Sequence, residues 1–164
     1  MTADKNDIRL ALRLKEFMQQ NNATISTAES CTSGRIGATI TSVDGSSNYY
    51  QGGIIAYQNR IKEQYLDVTP RMIETHDVVS REVVLQMAAA CRMRFDSDYA
   101  IATTGYTGVG NDRVPSGTVY IGFASPTDTH AVKLTLPCSS REENTLIATR
   151  SAIIQFLEWI GHTV

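Results

Sequence analysis

The sequence predicts an α/β fold: a single-domain, three-layer α/β/α sandwich over residues 1–164, with a mixed, mostly parallel central sheet. Three observations predict it. Helical and extended segments alternate early in the chain, and a hairpin follows late. The 164 residues, 42% hydrophobic and 20% charged, suit one domain with a real core. No internal repeat, linker or low-complexity stretch interrupts the pattern.

Each element has its own signal. Leu10, Leu14, Phe17 and Met18 recur at helical spacing, and Asn21-Asn22 ends that helix. Ala23 to Ala28 reads as the first strand, followed by a helix from Ser33 to Ser42. Asp44-Gly45-Ser46-Ser47 is a turn whose serines suit the cap of a short helix. Gly53 to Tyr57 reads as the second strand, and Asn59 to Tyr65 as a short helix capped by Asn59. Pro70 opens another helix, where its missing N–H costs nothing. Ser80 caps a longer helix with Val84, Met87, Cys91 and Phe95 on one face. Asp98 to Thr104 is the third strand and runs into a glycine-rich loop, Gly105 to Gly110. Gly117 to Ala124 and Ala131 to Leu136 form the hairpin, turned by Pro126 and Asp128. Ser140 and Glu143 make a capping-box pattern before Leu146, Ile153, Leu157 and Ile160.

Composition excludes several function classes. A net charge of −2 and no basic run argue against a nucleic-acid partner. No apolar stretch is long enough to span a membrane. The polar start, Met1 to Asp7, has no signal-peptide core, so a cytoplasmic location is expected. Cys31, Cys91 and Cys138 lack paired spacing and suit reduced thiols. His76, His130 and His162 are scattered, so no metal site is expected. Small α/β enzymes often form symmetric dimers, which favours a homo-oligomer.

Chemistry concentrates after the strands. In open α/β sheets ligands bind beyond the carboxyl ends of strands. Glu29 to Gly34, Gln58 to Lys62 and Thr104 to Gly110 all follow predicted strands, and parallel pairing would bring them to one crevice. The Gly45-Ser46-Ser47 turn would then form a wall. The run Thr27-Ala28-Glu29-Ser30-Cys31-Thr32-Ser33-Gly34 is either a nucleophile-bearing turn or a plain helix cap. The inventory of Ser30, Cys31, Thr32, Ser47, Tyr57, Lys62 and Thr104 has hydroxyls and a lysine but no histidine. A desolvated lysine can act as the base where histidine is missing. Arg141 could supply a cation or hold an anionic group. Against this, a lone lysine on a short helix is usually solvated, and Ser46-Ser47 is usually a turn. Gly105 to Gly110 matches neither a Walker loop nor a dinucleotide fingerprint.

In their order, several blocks resemble the CinA C-terminal domain family, whose stand-alone members include nicotinamide-nucleotide amidases of the PncC type. They are Thr27-Ala28-Glu29-Ser30-Cys31-Thr32, Gly45-Ser46-Ser47, Gly52-Gly53-Ile54-Ile55-Ala56-Tyr57 with Asn59 and Lys62, and Val79-Ser80. Thr104-Gly105 with Gly108, Gly117-Thr118-Val119-Tyr120 and Arg141 complete the set. The resemblance covers nearly the whole chain. It implies a three-layer α/β/α fold and hydrolysis of the carboxamide of nicotinamide mononucleotide to nicotinate mononucleotide and ammonia, with no cofactor and no metal. A stand-alone member is expected, since the first helix starts within a few residues of Met1.

The family's functional positions fall on Ser30, Ser47, Tyr57, Lys62, Thr104 and Arg141. The mechanism this implies has Ser47 as nucleophile, Lys62 as base and Ser30 as relay, with Ser30 the next candidate to attack. Amides near Ser30-Cys31 and Thr104-Gly105 would stabilise the oxyanion. Tyr57 would orient Lys62 or the pyridine ring, and Arg141 with the glycine loop would hold the phosphate. Cys31 reads as a small packed residue, since an unperturbed thiol is mostly protonated. One segment departs from the family pattern. Its usual Gly-Ile-Ala-Gly-Pro-Gly-Gly is here Gly105-Tyr106-Thr107-Gly108-Val109-Gly110-Asn111. Ser33 and Ser116 also stand where the family has glycine and valine. The alternative reading is therefore a catalytically inactive nucleotide-binding or regulatory homologue with the same pocket.

Overall fold

Among the described residues, six α-helices and five strands follow one another in the order α1 (Lys5–Gln20), β1 (Ile25–Glu29), α2 (Arg35–Ile40), β2 (Tyr50–Ile55), α3 (Asn59–Leu66), α4 (Pro70–His76), α5 (Arg81–Arg94), β3 (Tyr99–Gly105), β4 (Thr118–Ala124), β5 (Thr129–Thr135) and α6 (Arg141–Trp159). The computed structural model describes residues 4–137 and 140–161; Cys138 and His162 lie outside them. The sheet order is β2-β1-β3-β4-β5. β1 pairs in parallel with both β2 and β3, and β4 runs antiparallel to β3 and β5. Four of the five strands thus point one way, and β4 alone is reversed. The expected hairpin is closed by Ser125 N–H donating to Asp128 O at 2.8 Å.

Alternation along the strands builds two cores. Ile25, Ile101, Val119, Ile121 and Phe123 face one side, against Leu14 and Met18 of α1, Ile36 and Ile40 of α2, and Ile153 and Phe156 of α6. Ala28, Ala100, Ala102 and Ala124 face the other, against Val83, Val84 and Met87 of α5 and Leu66 of α3. Alanines on this face let α5 lie close to the sheet. At Gly122 the approach is closest, since a Cβ there would meet Val84 O at 2.6 Å.

Several boundaries differ from the sequence reading. β2 starts at Tyr50 rather than Gly53 because Gly52 and Gly53 continue the strand instead of breaking it. Gly52 takes φ +133° over the Phe95 ring, beside an irregularity in the β1–β2 register. Gln58 rather than Asn59 holds the cap position of α3, and its side chain makes no capping bond. Gly45, at φ +79°, precedes a single 3-10 turn of Ser46–Asn48, so Ser46 and Ser47 lie inside the turn and do not cap it. The caps at Ser80 and Ser140 are as read, and α6 carries the full capping box with Glu143.

The polar run that begins at the end of β1 starts with a structural residue, Glu29. Glu29 is 1% exposed. Its carboxylate accepts from the N–H groups of Gly34 (2.9 Å), Ile36 (3.0 Å) and Gly37 (2.8 Å), and from Thr32 Oγ1 (2.7 Å). It therefore caps α2 from the last position of β1, where a carboxylate complements the positive end of the helix. Ser33 (φ +51°) and Gly34 (φ +89°) make the left-handed bend that brings those amides round. This explains why glycine suits position 33: only glycine takes that conformation without cost.

Glu29→Ala is expected to lower unfolding free energy by on the order of 3 kcal/mol in urea titration, from the loss of several charge-assisted bonds in the interior. Ser33→Gly should be neutral or stabilising, by up to about 1 kcal/mol.

Candidate active site

Parallel pairing of β1, β2 and β3 brings their carboxyl ends to one edge. Ala56 N–H donates to Glu29 O (2.8 Å) and Ser30 N–H to Thr103 O (3.1 Å), so the residues just past each strand stay level. A cavity of about 370 Å³ opens there. Ser30, Cys31, Tyr57, Lys62, Thr104 and Arg141 line it, with Asn59, Val78, Val79, Gly105 and Tyr106 completing the wall.

Lys62 is the unusual residue. It sits four positions before Leu66 on α3, so the two share a helical face, and both are buried. Its side chain is in the core at 1% exposure, not in solvent. Nζ donates to Ala56 O at 2.7 Å and to Ser30 Oγ at 3.0 Å, with Tyr57 O at 3.4 Å. Burial pushes the amine down from its ordinary 10.5 to about 8. A neutral amine 3.0 Å from a serine hydroxyl can take its proton as the hydroxyl attacks.

The neighbouring groups have distinct parts. Burial pushes the Cys31 thiol up to about 12, so it stays protonated beside Ser30 and is a poor nucleophile. Thr104 Oγ1 donates to Val78 O at 2.8 Å, which leaves its lone pairs to accept a hydrogen bond. At the mouth, Arg141 opens α6 and its Nη2 donates to Tyr57 OH at 2.8 Å. Gly108 makes room for that arginine, because a Cβ there would lie 3.1 Å from Arg141 Nη1.

Ser47 is not part of this assembly. It is exposed on the 3-10 turn that precedes β2, whereas Lys62 follows β2. The turn is tied to the opposite edge of the sheet, where Ile25, first in β1, donates to Tyr49 O at 2.8 Å. Ser30 lies five residues further along, about 16 Å at a strand's rise. The turn is consequently no wall of the cavity, and the expected Ser47–Lys62 pair does not form within the chain. The structure brings together Ser30, Tyr57, Lys62, Thr104, Gly105 and Arg141. The sequence reading missed Val78 as a lining residue. Asn59 was signalled by the Gln58–Lys62 segment and the family-like blocks, and Val79 by those blocks alone, neither with a role. Among the described residues no cluster of His, Cys, Asp and Glu could hold a metal ion, and no helix is long and apolar enough to cross a membrane.

Residues 7–160 match the family model for the CinA C-terminal domain. The chain belongs to the CinA C-terminal domain family. A CinA-like protein of Cytophaga hutchinsonii is 37% identical over 144 residues, 87% of this chain and 34% of its own length. A CinA-like protein of Crocosphaera subtropica is 36% identical over 154 residues, 92% of this chain and 37% of its own length. The chain thus spans about a third of the length of these curated relatives. The competence/damage inducible protein CihA from Agrobacterium tumefaciens superposes with a TM-score of 0.91 at 28% identity, over 96% of this chain and 98% of that one. A CinA superfamily protein from Escherichia coli gives 0.91 at 26% identity, over 97% and 94%. The CinA fold is therefore the setting of the Ser30–Lys62 contact.

The buried lysine also leaves a thermodynamic trace. Below pH 8 both folded and unfolded chains hold its proton, and folding bears the cost of burying the charge. Between pH 8 and 10.5 the folded state releases the proton while the unfolded state keeps it, so folding stability rises with pH. Lys62→Met should therefore be more stable than the parent at pH 7, by on the order of 2 kcal/mol, with the advantage shrinking by pH 9.5. Thermal melts at the two pH values check this.

Proposed function

We propose that this chain is an amidohydrolase that converts nicotinamide mononucleotide and water into nicotinate mononucleotide and ammonia, with Ser30 as nucleophile and Lys62 as general base. The observation that carries the reading is the buried Lys62 amine 3.0 Å from Ser30 Oγ, in a cavity with an arginine at its mouth.

Each residue has a task in that reaction. Ser30 Oγ attacks the carboxamide carbon while its proton passes to Lys62 Nζ. Ala56 O keeps the amine aimed at the serine. The tetrahedral intermediate collapses as Lys62 returns the proton to the departing nitrogen, releasing ammonia and leaving an acyl group on Ser30. Water then attacks that ester with Lys62 again as base, and as the acyl–Oγ bond breaks Lys62 returns that proton to Ser30 Oγ and the carboxylate leaves. Thr104 accepts from the carboxamide N–H, the role left open by its bond to Val78 O. Tyr106 N–H is committed to Thr118 O at 2.9 Å and Ser30 N–H to Thr103 O at 3.1 Å, so the oxyanion falls to the turn that follows Ser30. Arg141, held by Tyr57, binds the phosphate. The cytoplasm, where such nucleotides occur, is the location this function requires; no step uses a cofactor, nucleic acid or membrane. A homo-oligomer is part of the same proposal.

Ammonia release by purified protein tests the reading. Ser30→Ala and Lys62→Ala should each lose at least about 10³-fold in kcat, whereas Ser47→Ala should stay within about threefold. Equal loss in Ser47→Ala would return the nucleophile to that turn. A folded parent protein that releases no ammonia but is stabilised by the nucleotide would favour the non-catalytic alternative. In the active protein, kcat/KM should climb as pH rises and level off above about 8, because Lys62 must be neutral to accept the proton.

A further inference from the structure

The substituted glycine loop carries an inference that rests on the reading above and deepens it. We propose that Tyr106 is a specificity-determining residue of this pocket: its ring forms the wall that holds the planar heteroaromatic ring of the substrate, and Asn111 and Asp77 fix it there.

Tyr106 follows the last residue of β3 and lines the cavity beside Thr104, Val78 and Val79. Its backbone is clamped twice to the start of β4, through Thr118 O (2.9 Å) and Gly117 N–H (2.8 Å). Its side chain is fixed as well. Asn111 Nδ2 donates to Tyr106 OH at 3.0 Å and to Asp77 Oδ2 at 2.9 Å. The other Asp77 oxygen accepts from Val79 N–H at 2.9 Å. Asp77 is buried and takes φ +74°, a strained conformation for a non-glycine residue, which its partners hold in place.

Further bonds stitch the loop to the α4–α5 connection. Arg113 donates to Glu74 O (3.0 Å) and Thr75 O (2.9 Å) at the end of α4. Asn111 Oδ1 accepts from Arg113 and Val114 N–H groups, and Ser116 Oγ donates to Gly108 O. Tyr106, Asn111 and Ser116 are three of the positions at which this chain departs from the family pattern, and the first two are bonded to each other. These hydrogen bonds fix the loop, and Tyr106, which they hold, lines the cavity.

The rest of the lining shows what that ring is for. Ser30, Lys62 and Thr104 address the reacting amide, and Arg141 addresses an anion. Ring-sized apolar surface in the lining comes from Val78, Val79, Tyr57 and Tyr106. Tyr57, bonded to Arg141, stands at the mouth with the anion site, whereas Tyr106 follows Thr104 by two residues, at the end where the amide reacts. A planar ring packed against a fixed aromatic gains affinity that a ring-free ligand does not.

Equilibrium binding separates this from a purely structural role. Calorimetry would measure nicotinamide mononucleotide and ribose 5-phosphate against the parent, Tyr106→Ala, Tyr106→Phe and Asn111→Ala. Tyr106→Ala should lose about tenfold for the mononucleotide but less than twofold for ribose 5-phosphate, which has no ring. Tyr106→Phe should stay within about threefold for both, and Asn111→Ala should fall between. Equal losses for both ligands in Tyr106→Ala, or no loss, would overturn the proposal. A parent protein that binds the mononucleotide without releasing ammonia refutes the catalytic reading alone, and the same binding ratios still decide this one. A parent that binds neither ligand refutes both.

Discussion

An amine at 1% exposure must be solvated by protein instead of water, and much of this molecule is arranged around that requirement at Lys62. The carbonyl of Ala56 and the hydroxyl of Ser30 do it. Both groups lie one residue past the end of a strand. They meet only because β1 and β2 run parallel and finish level, a relation fixed by the bond from Ala56 N–H to Glu29 O. Glu29 then turns the chain, its carboxylate gathering the first amides of α2 so that Ser30 is left at the bend. These two buried charged side chains, Glu29 and Lys62, thus have opposite duties. The carboxylate is spent on a helix terminus, and the amine is kept poised.

The opposite wall is built by different means. β3 delivers Thr104 and Gly105 to the edge, and Tyr106 begins a loop whose shape depends on side-chain hydrogen bonds. That loop reaches Arg141 through Gly108, so the group suited to an anion and the group suited to a ring share one support. A change in the loop would be felt at both groups, and so at both ends of the proposed mononucleotide substrate. It would leave the Ser30–Lys62 contact, on the other wall, largely untouched.

Much of the fold was legible in the sequence because its signals are local. Apolar spacing marked α1, α5 and α6, Ser80 and Ser140 marked caps, and Pro126 with Asp128 marked the hairpin. The convergence of three strand ends also followed from their parallel pairing. Burial was not legible, because it is set by partners far along the chain. Spacing left Lys62 open between a solvated charge and a desolvated base, and only the family resemblance favoured the base; Leu66 and the α5 face pull that side of α3 inward. Ser47 failed for the complementary reason. Its turn is close to the site in sequence, yet a strand spans the whole sheet, so residues before and after β2 lie at opposite edges. Asp77 gave no signal at all, since a positive φ at aspartate depends on Asn111 arriving from a loop 34 residues away.

The central claim is that the interior of this protein holds an amine ready to be neutral next to a serine. Direct titration of Lys62 Nζ in the folded protein, by NMR with a labelled lysine side chain and Lys62→Met to assign the signal, tests it most directly. The account predicts a midpoint near 8, well below the ordinary lysine value of 10.5. A Lys62 midpoint at 10 or above would mean that the amine stays charged throughout the working range, and would contradict its role as base.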